Sequence, residues 1–441
     1  MQASAQARDR RPFLALMTAN AVSQIGNMMT VVAVQWFVLE STGSAAQVGF
    51  VSAAIALGAV LPAILGGPLV DRIGLRRMSV GADLVSSGTV LLIPLLFLAA
   101  ALQFWMLLVL AFALSSVNAQ GDSSRMALLP SLAQRAGISP ERANATDRAV
   151  ARSGQLVGPV VAGVLIAFIG PANVLFFDAL TFALSATVIG LGVRSATRLT
   201  SRDGEASHGY ATDLLEGLRF VTGNRLILSM VLLATLGNFL DVPLVTVVLP
   251  VYASQIFDSP ASLGLILGSF AGGALLGTLA FGVFGRRLPR RMTFLASWLG
   301  ISVIIYGALA LQLPLGLIVL AGLVGGVVGG PINPILLTVV QAETPERLRG
   351  RVFGTLNALS QAGIPFGAAT IGLMIEGAGL IETIVGMGGL YVVTVGLMFA
   401  IPALHGMDRA GRAAPETVTG TLAEAGPTAQ ARRCATMKAG L

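Results

Sequence analysis

The 441-residue chain is 55% hydrophobic and only 11% charged, with 28 Lys and Arg against 21 Asp and Glu, a formal net charge of +7. Soluble domains carry about 25% charged residues, so this composition excludes a water-facing globule and indicates a polytopic membrane protein. The one cysteine, Cys434, excludes an internal disulfide, and the one lysine, Lys438, excludes a GxxxxGK[ST] phosphate loop and a lysine Schiff base.

The first stretch, QARDRRPFLALMTANAVSQIG, has a basic flank and then a long apolar run studded with amides. It is too long and too polar for a signal-peptide core and reads as an uncleaved first span. A helix crossing the hydrocarbon needs roughly 20 mainly apolar residues. Twelve segments qualify: 13–38, 46–70, 77–100, 103–128, 144–169, 172–193, 226–255, 261–285, 292–312, 315–339, 351–376 and 382–404. The loops 39–45, 101–102, 170–171, 256–260, 313–314 and 377–381 hold no Arg or Lys, and all 28 basic residues fall toward the other face with both termini. The positive-inside rule puts that arginine-rich face and both termini in the cytoplasm. The membrane thus accounts for the basic charge, and no nucleic-acid partner is expected.

A polar stretch between spans six and seven divides the chain. The expected organisation is a six-helix half over 1–193, a cytoplasmic linker over 194–225, a second six-helix half over 226–404, and a disordered tail over 405–441. Within the linker, YATDLLEGLRFV suits an amphipathic surface helix. The halves repeat. SPERANATDRAVARSGQLVGP from Ser139 and TPERLRGRVFGTLNALSQAGIP from Thr344 each lead from the fourth span of a half into its fifth, and DRIGLRRM and GRRLPRRM occupy matching turns. Duplicated six-span halves carry substrate sites at their interface.

The turn between spans two and three, GPLVDRIGLRR from Gly67 to Arg77, resembles the major facilitator superfamily signature G-x-L-a-D-r-x-G-r-r/k, with Leu75 where a basic residue is usual. GQLVGPVVAG, from Gly154 to Gly163 in span five, resembles the antiporter signature g-x-x-x-G-P-x-x-G-G of proton-coupled exporters, with Ala162 replacing one glycine. GPINPILLTVVQAETPERLRGRVFG and LLEGLRFV are similar to the drug-efflux branch that holds Tap-type pumps, macrolide-efflux proteins and enterobactin exporters. The resemblance implies an all-α, twelve-helix fold in two pseudo-symmetric halves. It also implies a gating motif of Gly67, Asp71, Arg72, Gly74, Arg76 and Arg77, in which Asp71 faces the amino end of span eleven near Gly350. There a carboxylate meets the positive end of the helix dipole. The antiporter motif supplies Gly154, Gly158, Pro159 and Gly163. Two features depart from relatives: span four has no mid-span arginine, its Arg125 lying toward the arginine-rich end, and span one has no mid-span acid.

Small residues at Gly154, Gly158 and Ala162 form one smooth helix face, as do Gly264, Gly268 and Gly272 in span eight, and the two faces are expected to meet. Pro159 removes a backbone donor and should bend span five. In span one, Asn20, Gln24 and Asn27 lie within about 60° of one another, with Gln35 close to the same face. They either pair between helices or wall a central cavity. Among the acids, Asp147 is expected to pair with Arg148, Arg152 or Arg125, Asp122 sits close to Arg125, and Asp83 is within reach of the Asp71 loop. Asp178 is about two turns in from the arginine-poor end of span six. Asp241, near the middle of span seven, has no basic neighbour within a turn or two, and an isolated acid there is a functional-site hypothesis by default. It either exchanges protons or meets substrate, or else is hydrogen-bonded to Asn238 or the span-one amides. Pro243 could open the helix ladder beside it.

The expected function is export of a hydrophobic, antibiotic-like small molecule across the bacterial cytoplasmic membrane, with protons as coupling ion and the lipid bilayer as surroundings. A monomer is expected. The alternatives are a siderophore or lipid exporter on the same fold and a non-transporting receptor or scaffold. His208 and His405 fall outside the spans, no CxxC or HExxH occurs, and no nucleophile constellation is visible, so neither metal, cofactor nor enzymatic activity is expected.

Overall fold

The computed structural model describes residues 9–65, 73–193 and 210–410. Gly67, Asp71 and Arg72, most of the linker and most of the tail lie outside the described residues. Eleven helices are long and apolar enough to cross a bilayer, and Ala45–Leu65 makes a twelfth. In chain order the twelve are Arg11–Thr42, Ala45–Leu65, Leu75–Leu98, Phe104–Ala136, Pro140–Ile169, Pro171–Gly192, Arg225–Phe257, Pro260–Phe284, Arg290–Ala310, Leu315–Glu343, Glu346–Ala378 and Leu380–Ala400. Several run past their apolar cores. Span four continues to Ala136 and span five begins at Pro140, so the repeated SPER segment is the N-terminal turn of a helix. Ser139 caps it by accepting from the Arg142 amide.

The glycines at the turns have a conformational task. Gly43 (φ 67°) ends span one and Gly74 (φ 86°) starts span three, both in backbone that side chains rarely adopt. Two spans depart from regular α-helix. Span seven is π-helical over Leu244–Val248, directly after Pro243, and span nine is π-helical over Ser302–Tyr306. Proline removes a donor from the ladder, and the extra residue of a π-turn absorbs the mismatch.

Within the first half, span one packs on spans five and six, span three on spans four and six, and span two on span four. Within the second, span eight packs on span ten, span eleven on span seven, and span nine on spans ten and twelve. Two long crossings join the halves: span two on span eleven, and span five on span eight. A Cβ on Gly163 would lie 2.6 Å from the Pro260 carbonyl oxygen and 3.1 Å from the Gly264 Cα, and one on Gly264 would lie 2.6 Å from the Pro159 carbonyl oxygen. A Cβ on Gly372 would lie 2.8 Å from the Ala45 carbonyl oxygen and 3.0 Å from the Gly49 Cα. Glycine therefore sets the backbone distance at both crossings, both toward the arginine-poor face. Outward-facing Phe168, Leu191, Val283 and Leu311 stand exposed, as side chains do when lipid is the solvent.

The surface helix forms over Tyr210–Gly223 and lies against span eleven. Glu216 pairs with Arg351, and a Cβ on Gly217 would lie 2.7 Å from the Arg351 carbonyl oxygen, so the two backbones nearly touch.

Candidate transport site

Between the halves, toward the arginine-rich face, lies a cavity of about 670 Å³. Spans seven to eleven supply most of its wall: Asn238 and Asp241, Phe270, Trp298, Asn333, and Phe353, Asn357 and Gln361. Arg152 of span five reaches it from the other half. Apolar and aromatic walls carrying a few amides, one acid and one base suit a mainly hydrophobic ligand held by a few polar contacts.

Asp241 is half-buried on this wall. Its partner is neither Asn238 nor an amide of span one. The Tyr391 hydroxyl, from span twelve, donates to Asp241 Oδ1. Asn238 turns instead to span eleven, donating to the Ser360 carbonyl at 3.0 Å and to Gln361 Oε1 at 3.4 Å. Tyr391 is fixed by rings on two sides, its centroid 5.1 Å from Trp298 and 5.4 Å from Tyr306. Gly237, one turn before Asp241, gives Trp298 room: a Cβ there would lie 3.3 Å from the Trp298 Cη2. The buried Trp298 Nε1 and Tyr306 hydroxyl have no hydrogen-bond partner among the described residues. Sequence reasoning missed this aromatic shell. The available signal was composition: the chain has four Tyr and three Trp, and a Tyr or Trp inside a span brings a polar atom that must find a partner.

The first half holds a different polar cluster. Arg125 is only 4% exposed and forms an ion pair with Asp83 of span three, at equal burial, and a second with Asp122 at 3.6 Å. Asp83 Oδ2 also accepts from Ser185 of span six at 2.7 Å. Asp83 thus joins Arg125 in the bundle and not the arginines of the turn before span three. Arg125, expected toward the end of its span, is embedded because span four runs eleven residues beyond it. Asp147 accepts from Asn20 Nδ2 at 2.9 Å, an amide partner where an arginine was expected. Asn27 Oδ1 accepts from Asn118 Nδ2 at 2.8 Å, and Ser86 donates to Asn118 at 2.7 Å. Asn20 and Asn27 are therefore interhelical hydrogen-bonding groups. Half-buried Gln24 packs against span five, where a Cβ on Gly154 would lie 2.9 Å from the Gln24 Cβ.

Asp178 is fully buried between spans one and six, accepting from Thr30 and, at 2.9 Å, from Thr181. It has no place on the cavity wall described above. Of the gating motif, Gly74 and Arg77 are exposed, and Arg76 donates to the Gly190 carbonyl of span six. The antiporter segment divides between two neighbours. Gly154 and Gly158 face Gln24 and Met28 of span one, and only Gly163 faces Gly264. The expected meeting of the Gly154–Gly158–Ala162 face with span eight is corrected accordingly. Span eight does turn its glycines to span five: Gly264 meets Pro159, Gly268 meets Val160, and Gly272 meets Leu156.

Twelve spans in two pseudo-symmetric halves, crossing near one face and enclosing a cavity toward the other, define a transporter of the major facilitator superfamily. The chain belongs to the transmembrane secretion effector family, whose model matches residues 5–426. It is 32% identical to the multidrug efflux pump Tap of Mycobacterium tuberculosis (strain ATCC 25618 / H37Rv), over 92% of this chain and 97% of that one. It is 24% identical to macrolide efflux protein A of Streptococcus pyogenes, over 83% and 90% of the two chains. The crystal structure of the nucleoside transporter NupG superposes with a TM-score of 0.70 at 16% identity, over 88% of this chain and 98% of that one, a likeness of fold alone.

Proposed function

We propose that this protein exports hydrophobic, antibiotic-like molecules across the bacterial cytoplasmic membrane in exchange for protons. The observation that carries the reading is the single carboxylate, Asp241, on the wall of a cavity closed off at the arginine-poor face. With the arginine-rich face in the cytoplasm, the cavity lies toward the compartment from which a drug must be taken. The likeness to Tap and to macrolide efflux protein A supports a drug as cargo.

In the proposed cycle the substrate enters from the cytoplasm and packs on Phe270, Trp298 and Phe353. The halves then rock about the span two–eleven and five–eight crossings until the cavity opens outside. Asp241 belongs to the second half together with its partner Tyr391, so the pair can move as one body and be exposed to each side in turn. Desolvation disfavours the charged form of any carboxylate. A substrate or a change of water access at the cavity wall therefore acts on proton occupancy at Asp241, which couples the two fluxes. Asp178, held by Thr30 and Thr181, joins spans one and six, and the Arg125 cluster ties spans three, four and six together.

A susceptibility panel across antibiotic classes, with and without expression and repeated with a protonophore, tests this reading. Resistance to at least one class, abolished by the protonophore, is expected. Unchanged susceptibility throughout, in cells where the protein is present in the membrane, contradicts drug export.

A further inference from the structure

Glu376 sits at the arginine-poor end of span eleven, and its carboxylate reaches the other half. Oε2 accepts a hydrogen bond from the Ser44 hydroxyl at 2.6 Å and one from the Ala46 amide at 3.0 Å. Ala46 is the second residue of span two. Its N–H is one of the four donors that a helix start leaves without an intrahelical acceptor. A capping side chain normally comes from the residue just before the helix. Here Ser44 fills that role, its hydroxyl oxygen accepting from the Gln47 amide at 3.2 Å while its proton goes to Glu376, and a second acceptor for the helix start comes from span eleven. The carboxylate also faces the positive end of the span-two dipole. The left-handed turn at Gly43 presents Ser44 for this contact. One turn further along, Gly49 and Gly372 hold the two backbones in contact.

We propose that Glu376 is a positioning residue for transport: it holds the halves together at the arginine-poor face and so favours the state in which the cavity is closed there. The inference rests on the alternating-access reading above. Both donors to Glu376 belong to one half and the acceptor to the other, so the contact exists only while spans two and eleven meet at this end. Rocking that separates Gly49 from Gly372 carries Ser44 and Ala46 out of reach. Glu376 is exposed, so water replaces the lost hydrogen bonds as the halves part. The net worth of such a bond is then small, and the contact biases the equilibrium without locking it. That suits a gate that must open in every cycle. A carboxylate fits better than an amide because the helix start favours charge as well as an acceptor.

The test reads conformation and not export, so its failure is distinct from failure of the drug-export reading. With Cys434 replaced by serine, Ala101→Cys and Gln255→Cys place spin labels on exposed positions of opposite halves near the arginine-poor face. Double electron–electron resonance in lipid nanodiscs then reports the distance between them. In the parent protein the short-distance population is expected to dominate. Glu376→Gln is expected to move the long-to-short ratio upward by roughly two- to fivefold, without a change in thermal midpoint. Glu376→Asp, one methylene shorter, should recover part of the parent ratio. Ser44→Ala, which removes one donor and leaves the charge, should shift the ratio in the same direction by less, with a small fall in thermal midpoint because the cap on the Gln47 amide goes with it. Parent-like distance distributions in both Glu376→Gln and Ser44→Ala overturn the proposal, as does a shift accompanied by an equal loss of thermal stability in all three variants.

Discussion

Asp241 and Arg125 show how the same charge problem in a low-dielectric interior has two solutions. Arg125 is buried with Asp83 and also reaches the partly exposed Asp122. Removing one member of a buried pair strands the other charge, at about 3–5 kcal/mol, whereas an apolar replacement of both is often near neutral. Arg125→Leu should therefore lower the thermal midpoint in detergent sharply, and Asp83→Leu added to it should restore most of the loss. Asp241 has a hydroxyl partner in place of a cation, and the proposed cycle uses it as the proton carrier. Asp241→Asn keeps hydrogen bonding and loses titration, so efflux driven by a proton gradient should collapse while downhill substrate exchange survives. Tyr391→Phe removes one hydrogen bond to the carboxyl group, worth about 0.5–1.5 kcal/mol net. Its expected effect is a smaller transport loss, measured as the initial efflux rate, with the protein still folded.

Elements meet through glycine, and here substitutions separate packing within a half from packing between halves. Gly158 faces Met28 inside the first half, and Gly264 faces Pro159 and Gly163 across the interface. Overpacking typically costs about 1–3 kcal/mol. Gly158→Leu should spend that cost on the stability of one bundle, seen as a lower thermal midpoint. Gly264→Leu should insert normally but push spans five and eight apart, so that efflux fails while the midpoint changes little. The spans themselves were legible as apolar runs of membrane length, because each helix meets lipid on its own. The small-residue stripe at Gly154, Gly158 and Ala162 was legible too, but its neighbour was not. Gly163 lies about 140° around the helix from Gly158, and that turn changes the partner from span one to span eight. The same limit hid the contact of Tyr391 with Asp241: helix periodicity places a residue on a face, and only the packing of span seven against spans nine and twelve decides what that face meets.

At the scale of the molecule, the distribution of arginine carried the most information, because a membrane imposes one rule on every loop at once. Reporter fusions after residues 202 and 412 should read as cytoplasmic and fusions near 258 as external. An external reading at 202 would overturn the two-halves layout. The crossings at Gly49–Gly372 and Gly163–Gly264 pack the halves tightly near one face, and the cavity lies toward the other, an arrangement that suits alternating access. The most direct measurement of the central claim uses purified protein in liposomes and radiolabelled tetracycline and erythromycin as cargo, with an imposed pH gradient as the only energy source. Uphill movement of at least one compound is expected in the parent protein. It should stop when a protonophore collapses the gradient and be absent from Asp241→Asn. Movement that ignores the pH gradient, or that Asp241→Asn sustains at the parent rate, would contradict proton-driven export through this carboxylate.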